Sequence, residues 1–443
     1  MANQPTIGRL RFLIRELLQK LWVRVTSFAV LGLATALAAF ALRPFIPDTW
    51  AGIVGADAIV PILQIIASSM LTVTTFSLSI LTAAYATASS GSTPRAVQLL
   101  VSDGVSQTVL ATFIGAFVFS LVGLILLQTE LYGDGGRVVL FAVTLIVILI
   151  VVVSLLRWIN RLGELGLVGD NLSRVEQAAD DALAARLASP WLGGNPLRGP
   201  PPADSVPIMS PQVGHVQNCD MQALSDLAEE AGILVYVTAQ PGDLVHLACP
   251  LFHVSQIPSD PQVRDGLIAC VTLRRTRSFD QDPRFGLSVL SEIGQRALSP
   301  AVNDPGTAQA VAICILRILS RWSDEAGPEV QFPRIYVPGL TVEQLLRDNL
   351  LPLARDGAAM VEVQRTLQGC LLALVQLAPQ VFGKAAVDLS QDMLDHARKG
   401  LTLGMDVTTV VDLSAEVRHQ AEKVVPSGPR GNPEMQKTSS FAE

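Results

Sequence analysis

The chain has 443 residues, of which 50% are hydrophobic and only 16% are charged, and its mean hydropathy is +0.42. This composition excludes an ordinary soluble enzyme and a disordered protein. The charge is divided unevenly, because residues 1–157 carry nine Lys/Arg and six Asp/Glu, whereas residues 158–443 carry 23 and 33. We therefore expect a basic, apolar membrane module followed by an acidic, solvated one, with no nucleic acid as a partner.

Four uncharged segments before residue 157 are long enough to cross a bilayer, which takes about 20 apolar residues. They predict spans at about residues 23–42, 60–88, 105–127 and 138–156 within a transmembrane domain of residues 1–157. A basic region precedes the first segment, as in a secretory signal. The apolar core of the first segment is longer than that of a signal, however, and Arg43-Pro44 follows where a cleavage site would be. We interpret it as a retained helix.

Basic residues are concentrated on one side of these spans. Nine Lys/Arg fall in the N-terminus, in the loop with Arg95 and after the fourth span, against Arg43 and Arg137 in the opposite loops. The positive-inside rule therefore predicts that the N- and C-termini are cytoplasmic. All five cysteines then lie in the reducing compartment, without CxxC spacing, so we expect small buried thiols and neither a metal nor a cofactor.

The second predicted span has an unusual density of hydroxyl groups. Ser68, Thr72, Thr75, Ser79 and Thr82 are spaced by four, three, four and three residues, which places them on one face of a helix. Copies of this helix in a homo-oligomer could line a wet pore for a small ion. Alternatively, the hydroxyls bond back to their own helix and allow close helix packing.

Apart from Arg24 at the edge of the first, no Asp, Glu, His, Lys or Arg lies inside any predicted span. Proton relays and coupled carriers usually place such a group at membrane depth, so its absence argues against them. A passive pore or a non-transporting anchor is favoured instead.

After Arg157 the apolar spacing predicts one helix that leaves the membrane and continues towards Leu187. Residues 189–211 contain seven prolines and are interpreted as a linker, so that residues 158–211 form a connecting segment. Alternation between Gly214 and Val254 predicts a small β unit with a turn at Gln240-Pro241-Gly242-Asp243, and Ile268–Leu273 predicts a further strand.

Helices dominate the sequence from Asp280 onward. The expected helices contain Phe285 to Leu298, Ala308 to Trp322, a segment that begins with a capping box of Thr341 and Gln344, Ala358 to Leu377, Lys384 to Lys399, and Val407 to Val424. The predicted fold class is thus a four-helix transmembrane module plus a cytoplasmic α+β domain over residues 212–425, with a small β unit and a mostly helical C-terminal half. A polar tail at residues 426–443 is expected to be disordered.

Two stretches resemble a family of predicted bacterial membrane proteins known as domain of unknown function 2254. The first starts at Ser68-Ser-Met-Leu-Thr-Val-Thr-Thr-Phe-Ser-Leu-Ser and continues through Pro94-Arg95 and Leu110-Ala-Thr-Phe-Ile-Gly-Ala-Phe. The second joins Arg275–Arg277, Asp282 and Phe285-Gly286 to Arg296-Ala-Leu-Ser-Pro-Ala-Val-Asn-Asp-Pro-Gly-Thr-Ala308. The chain departs from the family pattern at Gly91-Ser92-Thr93 and at Ala248. The resemblance implies a multi-pass protein of the bacterial inner membrane and supplies no activity or catalytic residues.

The second stretch contains a candidate cytoplasmic motif made of polar residues: Arg277, Asp282, Arg296, Ser299, Asn303, Asp304 and Thr307. The free N–H groups of a helix that starts there could hold an anionic ligand beside the arginines. A plainer interpretation is that Asp304 or Asn303 caps this helix, that Ser299-Pro300 turns the chain, and that Arg296 pairs with Asp282 or Asp304.

The sequence lacks GxxxxGK[ST], HExxH and GxSxG patterns, so we expect no enzyme. We expect an oligomeric pore or channel-like protein with a regulatory cytoplasmic domain, which has the lipid bilayer and a second copy of itself as partners. The alternative is a non-transporting membrane anchor or sensor whose cytoplasmic domain binds a ligand or partner.

Overall fold

A computed structural model describes residues 56–91, 93–101, 103–128, 133–163, 165, 167–258, 260–322 and 330–423, together with positions 23, 26, 27, 30 and 34. The first predicted span lies outside the described residues except for those five positions, which are helical. The predicted disordered tail also lies outside them. The chain forms two compact units, residues 1–174 and residues 175–443, so the first unit extends beyond the predicted boundary at residue 157.

Three helices of the first unit are long and apolar enough to cross a membrane: Ile59–Ser89, Gly104–Gln128 and Arg137–Leu162. They lie within α1 (Ala56–Gly91), α3 (Gly104–Gln128) and α4 (Gly133–Leu162), and the short helix α2 (Pro94–Val101) follows α1 along the chain. They coincide with the second, third and fourth predicted spans. The described residues therefore contain three candidate spans, one fewer than predicted.

Helix α3 is the most buried of these three helices, because 56% of its apolar 18-residue segment is buried, against 22% for α1 and 28% for α4. Phe113 and Phe119 of α3 are almost completely buried. Gly123 allows α1 to approach closely, since a Cβ at this position would lie 3.2 Å from Leu63 Cδ1. The outer faces of α1 and α4 remain uncovered by the described residues.

The prediction of one continuous helix from the fourth span to Leu187 was wrong. Helix α4 ends at Leu162, and α5 (Val168–Ala188) begins after a short break. The sequence has three glycines at or near this break: Gly163, Gly166 and Gly169. Glycine weakens a helix because it loses more backbone freedom on folding than any other residue.

The described part of the second unit contains two sheets. The larger has the order β1 (Asn195–Pro196), β8 (Ile335–Val337), β4 (Val235–Val237), β6 (Pro250–Val254) and β2 (Val206–Met209), with the first two pairings parallel and the others antiparallel. The smaller is antiparallel, with the order β5 (Leu244–Val245), β3 (Gly214–Cys219) and β7 (Val271–Arg274). The proline-rich stretch interpreted as a linker thus contributes β1 and β2 to a sheet.

Two short helices lie where strands were expected. Helix α6 (Met221–Glu230) interrupts the predicted β unit, and α7 (Pro261–Ala269) replaces the start of the strand predicted at Ile268. Each follows an aspartate cap: Asp220 Oδ1 accepts from Ala223 N, and Asp260 Oδ1 accepts from Gln262 N. Side chains of these helices and of both sheets share one core.

The helical half is close to its prediction and consists of α8 (Pro283–Ala297), α9 (Pro305–Leu319), α10 (Val342–Asp356), α11 (Val361–Leu377), α12 (Pro379–Gly400) and α13 (Gly404–Glu422). The capping box forms incompletely, because Thr341 Oγ1 donates to Gln344 Oε1 at 3.0 Å and makes no hydrogen bond to the backbone of α10.

Candidate functional site

The five hydroxyl side chains of α1, which we call the hydroxyl stripe, share one exposed face: Ser68, Thr72, Thr75, Ser79 and Thr82. Each donates to a carbonyl one turn earlier in its own helix, as in Thr72 Oγ1 to Ser68 O at 3.0 Å and Ser79 Oγ to Thr75 O at 3.0 Å. The described helices of the first unit therefore do not cover the hydroxyl stripe.

Gln64 extends the hydroxyl stripe by one turn. It lies four residues before Ser68 and is also exposed. Its carboxamide has no hydrogen-bond partner within the described part of the chain, and an unpaired amide is costly in an apolar environment. The interval of four residues would have identified Gln64 from the sequence if carboxamides had been counted together with hydroxyls.

A buried ionic cluster, which we call the α3–α5 cluster, lies at one end of the membrane helices. Asp103 caps α3, since its Oδ2 accepts from Ser106 N at 3.1 Å, and it also accepts from Arg161 Nε at 3.3 Å and Arg174 Nη1 at 3.1 Å. Asp170 accepts from Arg161 Nη2 and from Arg174 Nε, both at 2.9 Å. Two arginines and two aspartates thus tie the ends of α3, α4 and α5 together.

The first half of the candidate cytoplasmic motif forms a second cluster, which we call the arginine–aspartate cluster. Asp282 is 1% exposed and lies 2.7 Å from Arg277 Nη2 and 3.5 Å from Arg284 Nε. Arg284 Nη2 also donates to Asp243 Oδ1 at 2.8 Å and to the Pro241 carbonyl at 2.7 Å. The cluster therefore connects the predicted Gln240–Asp243 turn to the start of α8.

Burial and the neighbouring charges have opposite effects on the pKa values of this cluster. Burial raises the pKa of Asp282 above its ordinary value, although Arg277 and Arg284 oppose the rise. Burial lowers the pKa of Arg284, but Asp243 and Asp282 outweigh it and leave that pKa above normal. Arg186 donates through Nη2 to Gln240 Oε1 at 2.5 Å, and burial, followed by the nearby Arg284, lowers the pKa of Arg186 to about 10.

The second half of the motif forms the N-terminus of α9. Asp304 caps this helix, since its Oδ1 accepts from Thr307 N at 3.1 Å and its Oδ2 accepts from Thr307 Oγ1 at 2.6 Å. These bonds from Thr307 lower the pKa of Asp304. Asn303 does not cap the helix and instead adopts a φ of +51°, which asparagine tolerates better than most residues. Ser299 accepts from Asn303 N through its carbonyl at 2.9 Å and so closes the predicted turn.

The expected ion pair of Arg296 with Asp282 or Asp304 does not form among the described residues. Asp282 directly precedes the first turn of α8, whereas Arg296 lies in its last turn, so the helix itself separates them. Arg277 and Arg284 pair with Asp282 instead, and the Asp304 carboxylate accepts a hydrogen bond from Thr307 Oγ1. The structure thus divides the seven motif residues between two places and leaves Arg296 Nε buried without a partner in the described chain.

Sequence reasoning missed a further ionic contact, between Glu176 and α9. Glu176 accepts from Arg317 Nε at 2.6 Å and Nη2 at 2.8 Å, and Cys314 Sγ donates to it at 3.1 Å. The hydrogen bond from Arg317 lowers the pKa of Glu176, while burial and Glu176 raise the pKa of Cys314 to about 12. No local sequence pattern indicates a pair so distant along the chain.

No group of three His, Cys, Asp or Glu side chains in the described ranges is placed to hold a metal ion. His253 Nδ1 lies 3.1 Å from Ser205 Oγ, and His246 Nδ1 accepts from the Ala248 amide at 3.2 Å. Both side chains therefore have local structural partners.

The family model described as "Predicted membrane protein", domain of unknown function 2254, matches residues 19–373. The chain belongs to this family. Two uncharacterised relatives, one from Mycobacterium bovis and one from Mycobacterium tuberculosis, are each 27% identical over 291 residues, which cover 60% of this chain and 53% of each relative. The chain thus spans about half the length of the curated relatives it matches. No solved structure matches it.

Proposed function

We propose that the protein is a homo-oligomeric, channel-like membrane protein in which copies of α1 surround a polar path. The observation that supports this function is the exposed face formed by Gln64 and the hydroxyl stripe. Each hydroxyl oxygen keeps a lone pair after donating to its own helix, so it can still accept from water or contact a cation. Gln64 adds a carboxamide that has both donors and an acceptor.

Flux through liposomes tests this function. The full chain is reconstituted in vesicles, and K⁺ and Cl⁻ fluxes are followed with fluorescent reporters. The proposal expects a flux above that of protein-free vesicles, and it expects Thr75→Leu and Ser79→Leu to reduce the flux at least tenfold, because each inserts a bulky apolar group into the path. A monomer in detergent, or equal flux in the wild type and both variants, overturns it.

Ser69→Leu is the matched control. Ser69 is another exposed hydroxyl of α1, but it is turned by about 100° from Ser68 and so lies off the hydroxyl stripe. A pore lined by the stripe retains its flux in this variant. If Ser69→Leu abolished flux as completely as Ser79→Leu, the loss would reflect damage to α1 rather than a blocked path.

A non-transporting anchor or sensor is the second candidate. It is favoured by the back-bonding of all five stripe hydroxyls, because a hydroxyl that is already bonded needs neither water nor an ion. In this case the stripe packs tightly against another helix. A wild type that forms a stable oligomer and gives no flux above protein-free vesicles supports this candidate and rejects the pore.

A further inference from the structure

The second unit has an open cavity of about 710 Å³ beside the three-stranded sheet. Its polar lining comes from Gln212, Gln217, Arg274, Arg275 and Thr276. Exposed Val213 adds an apolar surface. A volume of several hundred Å³ is typical of small-molecule sites. The family resemblance and the predicted cytoplasmic motif assign no role to this cavity.

The cavity has two positive charges and no carboxylate in its lining. Arg274 and Arg275 are exposed, and neither side chain makes an ion pair or hydrogen bond within the described ranges. Two arginines without a carboxylate partner are unusual here, because acidic side chains outnumber basic ones by 33 to 23 in residues 158–443. The neighbouring Arg277 shows the contrast, because Asp282 neutralises it at 2.7 Å.

The backbone that carries these two arginines is fixed at several points. Gln217 Nε2 donates to the Thr276 carbonyl at 2.8 Å, and Gln212 Nε2 donates to the Leu273 carbonyl at 3.3 Å. Arg274 is also paired in the sheet with His215 of β3. Anchoring of this kind lowers the entropy that ordering the site would cost when a ligand binds.

We propose that this cavity binds a phosphate-bearing ligand, whose anionic oxygens are held by the guanidinium groups of Arg274 and Arg275. A guanidinium group presents paired N–H donors that match phosphate oxygens, and two of them neutralise a doubly charged group. Val213 gives room for an apolar part of the ligand. This site goes beyond the proposed pore and would equally serve an anchor or sensor. Its test measures binding and not flux, so the two proposals fail separately.

Thermal unfolding of the full chain in a neutral maltoside detergent tests the site. One arm titrates inorganic pyrophosphate at constant ionic strength in the presence of EDTA. A second arm adds phosphatidylglycerol, with phosphatidylcholine as the uncharged comparison. A ligand that binds the folded state raises the unfolding temperature in a concentration-dependent way. Stabilisation by pyrophosphate indicates a soluble phosphorylated ligand, whereas stabilisation by phosphatidylglycerol alone indicates a lipid headgroup.

The Arg274→Gln/Arg275→Gln double variant decides whether the cavity is responsible. We expect it to weaken the apparent affinity at least tenfold in whichever arm responds. The matched control, Arg365→Gln/Arg418→Gln, removes two exposed arginines from α11 and α13 of the same unit and should leave the affinity unchanged. The proposal is overturned if neither probe stabilises the wild type, or if both double variants respond as the wild type does.

Discussion

Gly242 lies so close to Asp282 that no side chain fits at position 242, because an added Cβ would lie 2.1 Å from Asp282 Oδ2. Gly242 also has a φ of +96°, which side chains other than glycine rarely adopt. The predicted turn and the start of α8 therefore meet through a position that must be glycine.

Gly242→Ala should destabilise the second unit for two reasons, the strained φ and the displacement of the Asp282 carboxylate. Strain alone costs about 1–3 kcal/mol, and displacing a buried ion pair adds to it. We expect an unfolding temperature at least about 5 °C lower, since 1 kcal/mol shifts a domain of this size by about 2–4 °C. Gly199→Ala is the control, because Gly199 has a φ of +95° and nothing within 4 Å of an added Cβ. Equal shifts in both variants would remove the contact with Asp282 as a cause.

Arg161→Ala should destabilise the first unit by about 3–5 kcal/mol, because it removes one of the two cations that pair with the buried Asp103 carboxylate. The Asp103 side chain is 5% exposed and, among the described residues, would keep only Arg174 as a cation, while Asp170 would lose its bidentate contact with Arg161. Thermal unfolding in detergent measures the loss. Arg157 is exposed and lies one turn earlier on α4, so Arg157→Ala should change the unfolding temperature by less than about 2 °C. A stable Arg161→Ala variant would show that the α3–α5 cluster does not hold these helix ends together.

Glu176→Gln should remove a pH-dependent part of the stability of the second unit. The pKa of Glu176 is lowered in the folded state, so its ion pair stabilises the protein above the ordinary pKa of 4.5. That contribution is lost as the pH falls through the lowered value. The variant should therefore be less stable than the wild type at pH 7, and the difference should shrink below about pH 4.5. Glu416→Gln, at an exposed position of α13, should show no such trend.

Thiol labelling should distinguish the cysteines by burial. Cys249 is partly exposed, whereas Cys219, Cys270, Cys314 and Cys370 are buried. Burial raises the pKa of Cys370 to about 11 and contributes to the value of about 12 for Cys314, so their reactive thiolates are rare at neutral pH. Brief maleimide treatment of the folded protein should modify Cys249 first, as measured by peptide mass spectrometry, and Cys249→Ser should abolish this early labelling. Early modification of Cys314 would contradict the buried contact with Glu176.

The sequence predicted those features that depend on local spacing. The hydroxyl groups of α1 share a face because the helical period fixes it, and Asp304 caps α9 because Asp-Pro commonly starts a helix. The caps of α6 and α7 were equally local, at Asp220 and Asp260. The cap at Asp220 was missed because the alternation from Gly214 to Val254 was interpreted as strand throughout, and no element was predicted around Asp260.

Contacts between distant segments could not be predicted in the same way. The contact of Gly242 with Asp282 and the ion pair of Arg284 with Asp243 join segments about 40 residues apart, and no local pattern indicates either of them. The proline-rich stretch joins a sheet because β1 pairs with β8, a partner far along the chain. Similarly, spacing alone does not show that the hydroxyl stripe is left uncovered by α3 and α4.

The back-bonding of the hydroxyl stripe also bears on how the chain enters the bilayer. During insertion α1 meets acyl chains before any second copy is present, and a hydroxyl without a partner would oppose its partition into lipid. Since each of the five hydroxyl protons is already donated within α1, the helix carries its own compensation. Insertion of α1 therefore does not require a second copy, and the proposed association can be a later and separate step.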